Sequence, residues 1–224
     1  MPARKASKKE QIVKCVVYGN SAIKLKKEKH VLGGKAHTHR WTFFFRPYYK
    51  EDLSTFIKSV EFKFDKSFRN PVRVFHRPPY HVTETGWGEF DIHVRVRFRC
   101  SEATPVTFWH RVNLFPSEDN LRVDASTVAI ETCDEMVFPE PTNLMRSLLE
   151  SESSLEVNEF HTNFDEMEGR AVEGLKEASR RVEGKIEEVG RKRKDLLKKI
   201  AILESALEAH QLEKSMKDEL SFIE

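Results

Sequence analysis

The feature that most constrains the fold is a strand-like run that starts directly after two closely spaced glycines. Over residues 90–100, apolar and polar side chains alternate for most of the length, which is the period of a strand with one buried face. Trp87 lies between Gly86 and Gly88, just before this run. Because glycine allows backbone angles and close approaches that other residues do not, we predict a turn that presents the Trp87 ring and its backbone N–H.

Short β-branched and aromatic runs recur through the first two-thirds of the chain. Trp41 and Trp109 fall inside such runs and are expected in the core, whereas lysine-rich residues 21–36 should be a strand end and a mobile loop. Several short strands with little helix between them predict an all-β fold, an immunoglobulin-like antiparallel β-sandwich. The predicted strands are 12–20, 37–46, 60–64, 72–75, 90–100, 107–115 and 127–130.

The composition changes near Glu150, after which Glu, Lys, Arg, Leu, Ile and Ala dominate the chain. A short helix capped by Thr142 is expected just before this boundary. The predicted segments are a basic disordered tail (1–11), the sandwich domain (12–150), a linker (151–168), an α-helical coiled coil (169–216) and a C-terminal tail (217–224).

The coiled-coil segment carries apolar residues on two neighbouring rows of seven-residue spacing, which favours a two-stranded parallel coiled coil. Arg193 occupies an a position in this register and would weaken the seam locally while fixing its register and oligomeric state. A homodimer, a partner helix and a single helix docked on another subunit all fit this pattern. The predicted seam consists of Leu175, Val182, Ile186, Val189, Leu196, Ile200, Leu203 and Leu207.

Charge and hydropathy narrow the classes of partner. The net charge of +2 is too small to indicate a nucleic-acid protein, so direct DNA binding should be weak or absent. The basic cluster within residues 4–9 fits a nuclear-import signal, a phosphate-contacting arm or a solvated tail. No run is long and apolar enough to cross a bilayer, and we expect a soluble intracellular protein without a membrane partner.

Cysteine and histidine spacing indicates neither disulfides nor a metal site. Cys15, Cys100 and Cys133 are isolated, which favours a reducing compartment and free, mostly buried thiols. The histidines between 37 and 93 match no usual metal-ligand spacing, so neither metal nor other cofactor is predicted. Neither Ser67 nor Cys133 has a predicted base beside it, and we expect no enzymatic activity.

Three ordered motifs carry a resemblance to a known family. They are Val17-Tyr18-Gly19-Asn20, His37-Thr38-His39-Arg40-Trp41-Thr42, and the run from Pro78 to Phe90 that contains Gly-Trp-Gly, with Asp134-Glu135-Met136-Val137-Phe138 adding to the match. Residues 12–150 resemble the YEATS domain. The coiled coil is similar to that of one branch of the family, a subunit shared by histone-acetyltransferase and histone-variant-exchange complexes.

The resemblance implies an immunoglobulin-like sandwich whose loops at one end bind acylated lysine, such as acetyl- or crotonyl-lysine, on histone tails. It implies that Trp87 and Phe68 are opposing aromatic walls and that Ser67 supplies a hydroxyl to the acyl amide. The backbone N–H of Trp87 would hold the acyl carbonyl, and Phe90 and His37 would close the pocket. The implied role is that of a nuclear targeting subunit whose partners are a histone tail and other chromatin-complex subunits.

The residues themselves support part of this expectation, since Gly86 and Gly88 would let a ligand approach the backbone. The chain departs from the family at Asp65, where relatives commonly have a histidine that shapes the pocket. A carboxylate there would either repel the acyl carbonyl or pair with an arginine of the tail. The competing hypothesis is therefore a structural or histone-chaperone-like scaffold subunit with a degenerate pocket.

Overall fold

The structure is a computed structural model that describes residues 11–29, 36–117, 121–124, 126–151 and 154–220. The chain divides into two compact units, Met1–Asn163 and Phe164–Glu224. Except for Gln11, the predicted basic tail lies outside the described residues, and so does the end of the predicted C-terminal tail, 221–224.

The first unit consists of two antiparallel sheets, which confirms the predicted β-sandwich. In spatial order, the five-stranded sheet contains β5 (Tyr80–Gly86), β2 (His37–Pro47), β1 (Gln11–Lys29), β9 (Thr127–Pro139) and β8 (Leu121–Arg122). The four-stranded sheet contains β4 (Val72–Phe75), β3 (Ile57–Lys63), β6 (Phe90–Phe98) and β7 (Val106–Val112). A 3-10 turn, Leu53–Thr55, is capped by the Asp52 side chain, which accepts the Ser54 backbone N–H.

The core lies between the sheets because alternate side chains of each strand face inward. Trp41, Phe43 and Phe45 of β2 are at most 1% exposed, and Ile92 and Val94 of β6 are fully buried. Burying each such side chain contributes about 1.5–3 kcal/mol to folding. The alternation seen in the sequence is therefore the pattern that fixes which face of each sheet is inside.

Two strands, β5 and β8, were not predicted, and the others differ from the predicted ones mainly in length. β1 continues to Lys29, into the lysine-rich stretch where a strand end and a mobile loop were expected, and β9 extends to Pro139. Residues 16–24 of β1 pair continuously with β2, and residues 11–23 pair with β9. These two ladders extend β1 past the predicted strand, into lysine-rich residues whose composition favours a loop.

Two expectations about burial were wrong. Trp109 is 68% exposed, because Phe108, His110 and Val112 are the β7 residues that turn inward. The three cysteines are free, but only Cys100 is buried, while Cys15 is half-buried and Cys133 is exposed.

Two helices follow the strands. α1 (Asn143–Glu150) begins as predicted, since the Thr142 hydroxyl accepts a hydrogen bond from the Met145 backbone N–H. α2 (Phe164–Leu220) begins before the predicted coiled-coil start at 169, and all eight predicted seam residues are exposed along it. Within the described residues, no helix is long and apolar enough to cross a membrane.

Part of the predicted linker at 151–168 is attached to the sandwich. The Asn158 N–H donates to the Tyr48 carbonyl at 2.9 Å, and the Thr162 N–H donates to Oε2 of Glu131 at 2.8 Å. The Glu131 side chain is fully buried beneath this segment. Residues 154–163 therefore belong to the first unit, although their serine- and glutamate-rich beginning is typical of a linker.

Candidate functional site

Three loops and the start of β2 meet at one end of the sandwich. Lys63 at the end of β3 pairs with His93 near the start of β6, whose first residue, Phe90, pairs with Val112 at the end of β7. These pairs bring together loops 64–71, 87–89 and 113–117, which we call the loop cluster. Gly86 at the end of β5 pairs with His39, so β2 starts at the same end.

Glu89 fastens two loops of the cluster to each other. Its Oε1 accepts hydrogen bonds from the backbone N–H groups of Leu114 at 3.0 Å and Phe115 at 3.4 Å. A carboxylate that accepts backbone N–H groups makes a stronger hydrogen bond than a neutral acceptor. The loop that carries Trp87 is therefore held in place by Glu89, a residue that the sequence did not single out.

Aromatic rings form the base of the loop cluster. The half-buried rings of Phe68 and Phe90 lie 4.9 Å apart between centroids, and each makes an edge contact with the buried Trp41 ring, at 6.0 and 5.3 Å. The Phe64 ring lies 5.6 Å from Phe68. The structure thus brings Phe68 and Phe90 together. It also adds Trp41 and Phe64, neither of which was predicted as a site residue.

Trp87 lies in a bend between the two sheets and is 48% exposed, in agreement with the predicted turn. Neither flanking glycine has a φ in the left-handed region, so unusual backbone angles are not the reason for them. A Cβ atom on Gly86 would lie 3.3 Å from Nε1 of Trp41, whereas one on Gly88 would meet nothing within 4 Å. The close approach of Trp41 therefore explains why residue 86 is glycine. Among the described residues, no steric contact of this kind requires glycine at residue 88.

Asp65 organises the loop that carries Ser67 and Phe68. Its Oδ1 accepts the Ser67 backbone N–H at 2.9 Å, and its carbonyl accepts the Phe68 N–H at 3.1 Å. Hydrogen bonds from the backbone N–H and the hydroxyl of Ser67 hold the pKa of Asp65 below its usual value. The carboxylate is therefore ionised at neutral pH, and it is bound within its own loop.

The two histidines at the start of β2 have different surroundings. Nδ1 of His37 lies 2.8 Å from Oγ1 of Thr85, which ties the start of β2 to the end of β5. His39 is buried and makes an edge contact with the exposed Phe115 ring. Burial first, and Lys24 second, lower the pKa of His39. Among the described residues, no three His, Cys, Asp or Glu side chains are grouped so that they could hold a metal ion.

The fold and the loop cluster define a class of protein: two-sheet antiparallel sandwiches whose loops at one end form a site of aromatic rings with polar side chains around it.

Residues 36–116 match the sequence model of the YEATS family. The Protein AF-9 homolog of Eremothecium gossypii is 43% identical over 134 residues, which cover 58% of this chain. The same residues cover 64% of that protein, which is less than two thirds of its length. The Protein AF-9 homolog of Saccharomyces cerevisiae is 33% identical over 84% of this chain and 91% of that protein.

Solved structures agree with these relatives. The crystal structure of yeast AF-9 homolog protein Yaf9 matches with a TM-score of 0.58 and 36% identity, over 67% of this chain and 100% of that one. The Yaf9 YEATS domain bound to H3K27ac matches with a TM-score of 0.57 and 37% identity, over 66% of this chain and 100% of that one. The chain belongs to the YEATS family.

Proposed function

We propose that this chain reads acylated lysine on histone tails through its loop cluster. The observation that carries the proposal is that the exposed Trp87 ring, on a loop that Glu89 fixes, belongs to the same loop cluster as the half-buried Phe68 and Phe90 rings. Relatives support it, since Yaf9 YEATS domains have been solved with H3K27ac and with an H3K122suc peptide.

The chemistry of acylation suits such a site. Acylation removes the lysine charge and leaves a flat amide, which aromatic faces can stack on for about 0.5–1.5 kcal/mol beyond area burial. The amide must keep its hydrogen bonds, and the Ser67 hydroxyl and the Trp87 backbone N–H would supply them. Phe68 and Trp87 would form the walls, with Phe90 and His37 closing the pocket. An unmodified ammonium group would lose its hydration among rings and be rejected.

The test is a titration of the full chain with acetylated, crotonylated and unmodified histone-tail peptides of one sequence. Trp87→Ala should abolish binding of the acylated peptides, because it removes one wall. Trp109→Ala is the matched control, since Trp109 is also exposed but lies on β7 outside the loop cluster. Equal or absent binding of all three peptides would instead favour the scaffold-subunit hypothesis.

We further propose that α2 attaches the domain to a nuclear chromatin-modifying or remodelling complex, as its targeting subunit. In the predicted heptad register, Lys185, Lys192 and Lys199 occupy successive g positions, and Arg193 occupies an a position. In a parallel homodimer, Arg193 would face its own copy across the seam. An acidic partner helix would meet these charges better than a second copy of this chain would.

Light scattering of the isolated full chain at micromolar concentration tests this preference. We expect a monomer, and we expect Arg193→Leu to form dimers because it replaces the repelling pair with an apolar one. Arg191→Leu is the matched control, since Arg191 lies off the seam in the same register. A wild-type chain that is already dimeric would favour the homodimer instead.

A further inference from the structure

The indole N–H of Trp41 has no assigned role in the site described above. Trp41 is fully buried, and its Nε1 has no hydrogen-bond partner among the described residues. A buried donor without an acceptor keeps its desolvation cost uncompensated, so such donors are rare in folded domains. A ligand that brought an acceptor to this atom would recover that free energy on binding.

The ring neighbours of Trp41 are residues of the proposed pocket. Its indole makes edge contacts with Phe68 and Phe90, and Phe64 lies 6.1 Å away between centroids. None of these three side chains carries an acceptor oxygen. An N–H group can point at a ring face, but such contacts are second-order and do not replace a hydrogen bond to oxygen.

Gly86 lies against the indole N–H and places no side chain on it. The position of a Cβ on Gly86 would be 3.3 Å from Nε1, and outside the adjoining residues only Cδ1 of Trp41, at 3.8 Å, is otherwise near. Any other residue at 86 would place a carbon atom against the donor. The residue that follows Gly86 is Trp87, one of the two proposed aromatic walls.

We propose that the Trp41 N–H is a specificity-determining donor at the base of the acyl-lysine pocket. This proposal rests on the acyl-lysine function above. The donor would take as its acceptor an oxygen that the acyl chain carries beyond its amide. The pocket therefore prefers hydroxyacyl-lysine to a hydrocarbon acyl-lysine of the same length. Phe68 and Phe90 cover the indole and are only half-buried, so an entering acyl chain uncovers the donor by turning one of these rings.

The test compares two histone-tail peptides of one sequence, carrying either butyryl-lysine or 3-hydroxybutyryl-lysine, by calorimetric titration of the full chain. These acyl groups have the same carbon chain and differ by one hydroxyl. We expect the wild-type chain to bind the hydroxylated peptide about 5-fold more tightly, the ratio typical of one net hydrogen bond. Trp41→Phe should bind both peptides with equal affinity.

Trp41→Phe removes the N–H donor and also makes the ring smaller, so a second variant is needed to distinguish the two effects. Replacing Trp41 by 3-benzothienylalanine keeps the ring size and exchanges the N–H for sulfur, so the core stays filled. Loss of the 5-fold preference in this variant, with butyryl binding unchanged, supports the assignment. No preference in the wild-type chain, or a preference that survives in this variant, overturns it.

The acyl-lysine function has its own readout in the same titration. A wild-type chain that binds butyryl-lysine without preferring the hydroxylated form keeps that function and refutes only the donor role of Trp41. A wild-type chain that binds none of the acylated peptides refutes both.

Discussion

Nε2 of His110 lies 2.9 Å from Oδ1 of Asn20, and this contact joins β7 of one sheet to β1 of the other. The same Oδ1 accepts the Asn113 backbone N–H at 3.0 Å, and Nδ2 of Asn20 donates to the Asn113 carbonyl at 2.8 Å. Because Oδ1 can only accept, His110 must donate from Nε2. Asn20 and His110 are both buried, so this polar network is enclosed in the sandwich.

Stability should depend on pH through His110. Burial lowers its pKa to about 4, with Asp91 as a smaller opposing influence. In the unfolded chain it titrates near 6.5, so between these values the unfolded state binds more protons. The free energy of unfolding therefore contains the full contribution of neutral His110 above about pH 6.5. It falls, by an amount on the order of 3 kcal/mol, as the pH drops toward 4.

Urea unfolding at pH 4.5 and 7 would measure this dependence. His110→Gln keeps a donor near Asn20 but cannot be protonated, so it should lose less stability on acidification than the wild-type chain. His93→Gln is the control, since His93 lies on the outer face of β6. Equal pH dependence in the wild-type chain and His110→Gln would contradict the role of His110.

Gly19 should be intolerant of any side chain. A Cβ there would lie 2.1 Å from the Ile130 carbonyl oxygen on β9, a backbone atom that cannot move without breaking the ladder. Gly19→Ala should therefore lower stability by at least about 1–3 kcal/mol. Gly88→Ala is the comparison and should change stability by less than about 0.5 kcal/mol. Similar melting temperatures for the two variants would argue against the strand spacing described.

Glu89 should hold the loops at 87–89 and 113–117 together, and we expect peptide binding to depend on this link. Glu89→Ala leaves the backbone N–H groups of Leu114 and Phe115 without this acceptor, and Leu114 is buried. The expected loss of stability is about 1–3 kcal/mol. Hydrogen exchange at both amides should speed up, and peptide affinity should fall. Glu102→Ala, at an exposed position of the β6–β7 turn, should leave exchange at these amides unchanged.

The attachment of residues 154–163 should be detectable by proteolysis. Nδ2 of Asn158 donates to the Pro47 and Tyr49 carbonyls at 3.0 and 3.1 Å. Asn158→Ala should release the segment and speed its cleavage by a nonspecific protease. Leu155→Ala should not, because Leu155 is 88% exposed. Cleavage of the wild-type segment as fast as that of Asn158→Ala would refute the attachment.

Periodicity predicted the sandwich because burial of alternate residues is a local property of each strand. The same local signal was wrong for Trp109, since a strand with large residues on both faces does not reveal which face is inside. It also missed how far β1 continues beyond residue 20, into lysine-rich residues whose first members pair with two neighbouring strands. Alternation thus predicts where strands lie better than where they end.

The candidate site was predictable only in part. The resemblance named Phe68 and Phe90 as site residues, and the two rings lie together, but the bond from Ser67 to Asp65 depends on the loop conformation. The link from Glu89 to Leu114 joins residues 25 positions apart and leaves no local pattern. Contacts of this kind arise from the register of paired strands, which the sequence of a single loop does not encode.

The two proposed walls of the pocket lie on loops that follow strands of different sheets. Phe68 lies on the loop between β3 and β4 of the four-stranded sheet, whereas Trp87 leaves β5 of the five-stranded sheet. In the proposed pocket, the distance between the two walls would therefore depend on the spacing of the two sheets. Substitutions deep in the core that change the spacing of the sheets would widen or narrow the mouth, so acyl-chain selectivity can evolve without any change in the residues that touch the ligand.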